Sequence, residues 1–147
     1  MGEQGYIDEL ERALARPDAD EMCRRLDACF IDCQKSDSSD DATDEIITCY
    51  LNDPEKAFAY VILAAARSDD PKLLGWLASG PLEDVLRSPS DELLQRIIDE
   101  ARKSARLRWM LGFPFKVAIA TRAWDAIEKF RMDGSVEELP ARLSTRR

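Results

Sequence analysis

The sequence predicts an all-α protein, an irregular array of about seven to nine short helices packed as helical hairpins. Three observations carry this. Ala, Leu, Arg, Asp and Glu dominate while only 6 of 147 residues are glycine, and straight-chain residues lose little rotamer freedom in a helix. Apolar residues recur at spacings of three and four, and β-branched ones never alternate with polar ones over a strand's length. Asp-Pro and Gly-Pro corners punctuate the chain at short intervals. With 45% apolar residues the chain has enough material for a core. We expect one domain over 1–134 and a weakly ordered basic tail over 135–147, carrying Arg142, Arg146 and Arg147.

Taken in order, the first helix spans Tyr6–Ala15, with Ile7, Leu10 and Leu14 inward, and Pro17 ends it. A second runs from Asp20 to Gln34 with Met22, Leu26, Cys29, Phe30 and Cys33 on its core side. The polar loop Ser36–Asp41 caps a helix over Ala42–Leu51. Asp53-Pro54 starts a helix to Arg67 that is apolar nearly all round, the mark of a central element. Asp70-Pro71 repeats the device for a helix carrying Leu73, Leu74, Trp76 and Leu77. That helix stops at Gly80 in the left-handed conformation. Pro81 then opens a short helix, Leu82–Arg87. After Ser88-Pro89-Ser90, helix Asp91–Ser104 turns Leu93, Leu94, Ile97, Ile98 and Ala101 inward. Leu107, Trp109, Met110 and Leu111 extend the apolar pattern to Gly112. A corner at Phe113-Pro114-Phe115 precedes a last long helix, Phe115–Met132, ended by Gly134. Asp53-Pro54 and Ser88-Pro89 are spaced like a helical-hairpin repeat, but no side-chain pattern matches between the two stretches.

Charge is unevenly spread. Residues 1–53 carry −10, residues 54–100 carry −4 and residues 101–147 carry +6, for a net −8. This is either a solvated, internally paired surface or a negative face that steers a basic partner. The overall acidity argues against general nucleic-acid binding. Met1–Glu3 lacks a basic region and a following apolar stretch, so no targeting segment is expected. The longest apolar run, Ala57–Ala66, is half the roughly 20 residues a membrane-spanning helix needs. We therefore expect a cytoplasmic protein that does not enter membranes.

The chemistry expected is sparse. There is no histidine, which removes the commonest general base and metal ligand. No phosphate-binding loop or nucleophile elbow occurs, and no cofactor or catalytic residue is expected. Carboxylates at helical spacing, Asp40/Asp44 and Asp41/Glu45, arise readily in so acidic a chain. Cys23, Cys29, Cys33 and Cys49 read as small buried hydrophobes; a four-thiolate zinc site lacks the usual closely spaced pair. Asp37, Ser39 and Asp41 resemble a calcium loop, but Ala42 replaces its glycine and Thr48 its bidentate glutamate. Around the basic stretch Arg102–Arg108, the aromatics Trp109, Phe113, Phe115 and Trp124 suit single-stranded nucleic acid or a helix core, and core packing is the expectation.

The segment Leu74-Gly75-Trp76-Leu77-Ala78-Ser79-Gly80-Pro81-Leu82-Glu83-Asp84-Val85-Leu86 resembles the Leu-Ala-x-Gly-Pro-Leu-Glu-Asp-Leu-Leu stretch of a bacterial family of unknown function. The likeness covers residues 53–112, from the helix start at Asp53-Pro54 through Ile97–Arg102 to Leu111-Gly112. The resemblance implies a helical fold and supplies no established activity. The residues themselves allow two roles for Glu83 and Asp84. In the first turn of a new helix they complement its positive end; beside Trp76 they present a contact patch.

The functional expectation is a small acidic protein-binding module, of the immunity type that neutralises a bacterial toxin by direct binding. A basic toxin would be drawn by the negative field. The expected contact residues are Asp37, Asp40, Asp41, Asp44 and Glu45, with Trp76, Glu83 and Asp84. The alternatives are a self-associating regulatory or scaffold protein, the acidic part of one chain meeting the basic part of another, and an unrecognised enzyme. The sequence does not specify the oligomeric state.

Overall fold

A computed structural model describes residues 9–34, 46, 53–68, 70–114 and 116–130, with the backbone alone for 29–34. Every regular element among the described residues is helical. In order they are α1 (Glu9–Leu14), α2 (Ala19–Gln34), α3 (Pro54–Arg67), α4 (Pro71–Leu77), a π-turn (Ala78–Leu82), α5 (Glu83–Arg87), α6 (Asp91–Lys103), α7 (Ala105–Met110), a 3₁₀ turn (Lys116–Ala118), α8 (Thr121–Ile127) and a final 3₁₀ turn (Glu128–Phe130). Of the expected helix over 42–51 only Ile46 is described, and it is helical and buried in the core; the end of the last helix at Gly134 and the basic tail lie outside the described residues.

The centre is α3. Its side chains from Ala57 to Ala65 are all buried, and it packs against α1, α2, α4, the π-turn, α5 and α7. Its start follows the sequence reading: the Asp53 carboxylate accepts the Lys56 N–H at 3.0 Å and Pro54 sits where a missing donor costs nothing. Asp70 does the same for α4, accepting from Lys72 N at 3.0 Å. Ser90 starts α6 through Leu93 N at 3.1 Å. Ser104 serves two helices. Its N–H donates to Glu100 O to close α6, and its hydroxyl accepts from Leu107 N at 2.9 Å to open α7. The buried apolar residues from Ala13 to Ile127 form one contiguous cluster. Leu93, Leu94, Ile97, Ile98 and Ala101 of α6 join it as their spacing predicts.

Three expectations are corrected. On α1 the buried residues are Glu9 and Ala13, whereas Leu14 is 54% exposed. Leu10 packs partly against the core as expected, Ile7 lies outside the described residues, and Glu9 joins the inward face through an ionic contact with Arg96. Second, the chain does not stop at Gly80. Leu77, Ala78, Leu82 and Glu83 all hold right-handed helical angles, and Gly80 is not left-handed, so residues 71–87 form one rod with a π-turn in its middle. Proline lacks an N–H and its ring collides with the carbonyl four residues back. The widened turn at Ala78–Leu82 removes that collision. Gly80 has no Cβ to strike the Pro81 ring, so it stays helical where other residues before proline resist. Burial of Ala78, Pro81, Leu82, Val85 and Leu86 rewards the continuous rod.

Third, the last long helix is broken. Ala120 is extended, and its N–H donates to the Leu86 carbonyl at 3.2 Å, giving the end of α5 a partner. Arg122 of α8 then ties to the start of α6 through Asp91 at 2.9 Å and the Pro89 carbonyl. The stripe Ile119, Ala123 and Ile127 is buried despite the break.

Candidate interaction surface

The rod 71–87 divides its residues cleanly. Leu73, Leu74, Leu77, Ala78, Pro81, Leu82, Val85 and Leu86 are buried. Lys72, Ser79 and Arg87 are exposed, with Trp76, Gly80, Glu83 and Asp84 half-exposed between them. Trp76 packs one side against the core cluster. Of the contact residues read from the sequence, Trp76, Glu83 and Asp84 are thus carried by one rod and each keeps access to solvent. Asp37, Asp40, Asp41, Asp44 and Glu45 lie outside the described residues.

Asp84 is mostly buried, its side chain 16% exposed. It accepts from Arg87 Nη2 at 3.0 Å and lines a cleft of about 170 Å³ with Pro54, Val85, Arg87 and Ser88. Burial raises its carboxyl above the usual range; Arg87 opposes this and the neighbouring Glu83 adds to it. Glu83 and Asp84 have no helix end to complement, because the rod runs on through residue 83. The restart after a stop at Gly80, which would have used their charge, is therefore absent.

A stability consequence follows from Asp84. A carboxyl whose folded pKa is raised binds its proton more tightly when folded. The native state is therefore penalised above that raised pKa, and the penalty fades as pH falls through it toward the ordinary carboxylate value. Asp84→Asn is expected to melt higher than the parent chain at pH 7, with the gap closing by about pH 3. Melting curves across that range check this; a variant that melts lower at pH 7 contradicts it.

A second polar cluster escaped the sequence reading because its members lie far apart in the chain. The Arg96 guanidinium of α6 grips Glu9 of α1 with two bonds of 2.9 Å and reaches Glu55 of α3 at 2.8 and 2.7 Å. Both carboxylates raise the Arg96 pKa, Glu9 most strongly. No local pattern announces this; Glu9 reads as an ordinary first-turn acid.

The basic stretch 102–108 is largely committed inward or locally. Arg106 is 2% exposed and donates to Ala65 O at 3.2 Å and Ser68 O at 2.7 Å. Arg108 reaches Ala101 O and Arg102 reaches Asp99. Trp109 is buried against Phe113; Trp124 is half-buried with the Lys116 ammonium 5.7 Å from its ring centre. Cys23 is a free, half-buried thiol, and the side chains of Cys29, Cys33 and Cys49 lie outside the described residues. Among the described residues no group of three metal-ligating side chains converges, and no helix is long and apolar enough to cross a membrane.

Among the described residues the chain is helical, and a bulged rod carries Trp76, Glu83 and Asp84, each partly exposed. The chain belongs to a family of unknown function (DUF6869), whose model matches residues 32–135. The match is wider than the 53–112 stretch that carries the resemblance, taking in the acidic run and the last helix. No curated protein and no solved structure matches the chain.

Proposed function

We propose that this is a protein-binding module that receives a basic partner on the outward side of the rod 71–87, in the manner of an immunity protein neutralising a toxin. The observation that carries the reading is the acid pair Glu83 and Asp84. The two acids sit side by side on the rod, and Asp84 is drawn partly out of water with an exposed arginine as its counter-ion. Such a carboxylate gains when a partner's cation arrives. Trp76 on the same rod is a suitable anchor, since aromatic residues dominate binding hot spots. The net −8 of the chain, concentrated before residue 54 and including Asp37, Asp40, Asp41, Asp44 and Glu45, would speed encounter with a positive partner.

The test is binding to a partner captured from native lysate with the wild-type chain as bait. Glu83→Gln combined with Asp84→Asn is expected to weaken that complex by about 10- to 100-fold without lowering the melting temperature. Unchanged affinity rules this surface out. Loss of folding together with binding returns the two acids to a structural role.

A further inference from the structure

We propose that α1 is a strap that can leave its seat as a unit while the rest of the bundle stays folded. The seat is built from charge at both ends. At one end the Glu9 side chain, 4% exposed, lies in the fork of Arg96, with Arg12 at 3.7 Å. At the other, Arg16 binds Asp18 at 2.9 Å and approaches Asp53 at 3.7 Å, while Lys56 comes within 3.6 Å of Asp18. Between the ends the fit is incomplete: a recess of about 30 Å³, room for little more than a water, is lined by Arg12, Ala13, Phe58 and Ala59 among others. The apolar side chain α1 buries fully is that of Ala13; Leu10 packs partly against the core and Leu14 points outward.

Such a seat has two good states and a poor one between them. A buried ion pair gives little net stability relative to separated, hydrated ions, because desolvation offsets the attraction. Leaving one partner buried alone is strongly unfavourable. When α1 lifts away whole, Glu9 returns to water and Arg96 keeps Glu55, so no charge is orphaned. Exposure of the Phe58 and Ala59 side of α3 is what drives α1 back. A helix of six residues has no stability of its own, so lifting also unwinds it.

Native-state hydrogen exchange on the full chain tests this through the Ala15 and Arg16 amides, which donate to Glu11 O and Ala13 O at 3.0 and 3.2 Å. In the parent chain they are expected to exchange through an opening that leaves α3 and α6 protected. Arg96→Met, which strands Glu9, should reduce their protection on the order of 100-fold while α3 and α6 amides change little. Glu9→Gln should produce a smaller loss in the same place. A uniform loss across α1, α3 and α6, failure of Arg96→Met to fold, or no change at Ala15 and Arg16 would each overturn the proposal.

Discussion

Trp109→Ala is expected to lower the unfolding free energy by about 3–5 kcal/mol, the range for emptying a large aromatic site in a core. Trp109 is among the largest fully buried side chains and is 2% exposed. Its ring meets Phe113 at 4.9 Å between centroids with the planes tilted by 59°, an arrangement aromatic rings prefer. Phe113 is held in turn by the missing side chain of Gly75, where an added Cβ would lie 3.1 Å from the ring. The indole N–H has no hydrogen-bond partner, so deleting it forfeits packing and no polar contact. Trp109→Phe should accordingly cost far less, about 1–2 kcal/mol. Denaturant unfolding of both variants measures the two numbers. Equal losses would mean that the indole nitrogen matters and that the packing account is wrong.

Arg106→Met is expected to cost about 3 kcal/mol. The guanidinium closes the C-terminal end of α3, where carbonyls have no partner within the helix, by donating to Ala65 O and Ser68 O. Hydrogen bonds from a charged donor contribute about 1.5–3 kcal/mol, and a buried carbonyl left bare costs about 1–3 kcal/mol. Methionine fills similar volume with no donor, so the loss isolates the polar contribution. The effect should appear first at the α3–α4 junction. Ser68 there accepts from Asp70 N at 3.0 Å, and Asp70 starts α4. Arg106→Lys should recover part of the stability, since a single ammonium cannot reproduce the planar fork. Rapid exchange of the Ser68 amide in Arg106→Met, with α6 unaffected, is the local signature.

Much of this fold is legible in the residues because the signals are local. Asp53-Pro54, Asp70-Pro71 and Ser90 each place a side-chain acceptor over the first free N–H groups of a helix, and no tertiary contact is needed to predict that. The apolar spacing of α6 and the all-round apolar α3 likewise name their own buried faces. What was not legible depends on distant partners. Gly80-Pro81 has the composition of a stop and a restart. The burial of Ala78, Leu82 and Leu86 decides for a continuous rod, and a π-turn is how the backbone complies. The break at Ala120 depends on the Leu86 carbonyl, 34 positions earlier in the chain. Glu9 lies inside only because Arg96 reaches it from 87 residues away.

The candidate surface divides in the same way. Trp76, Glu83 and Asp84 were readable as a patch because they share a motif, and the rod does carry all three with access to solvent. Their role was ambiguous because a Gly-Pro pair suggests a helix start that would use the acids. The rod runs on without a left-handed stop at Gly80, which removes the restart that suggested this use. The partial burial of Asp84 in the cleft beside Pro54 could not be read from the chain, since it depends on where α3 begins in space.

The most direct test of the recognition account is site-specific photocrosslinking from Ser79, which is exposed on the rod between Trp76 and Glu83. A crosslinker there, used in native lysate, is expected to trap one discrete protein. The adduct should disappear when Glu83 and Asp84 are reversed in charge, and a crosslinker at exposed Lys103 on α6 should not give it. Absence of any adduct from Ser79, or an adduct indifferent to both reversals, would contradict the account.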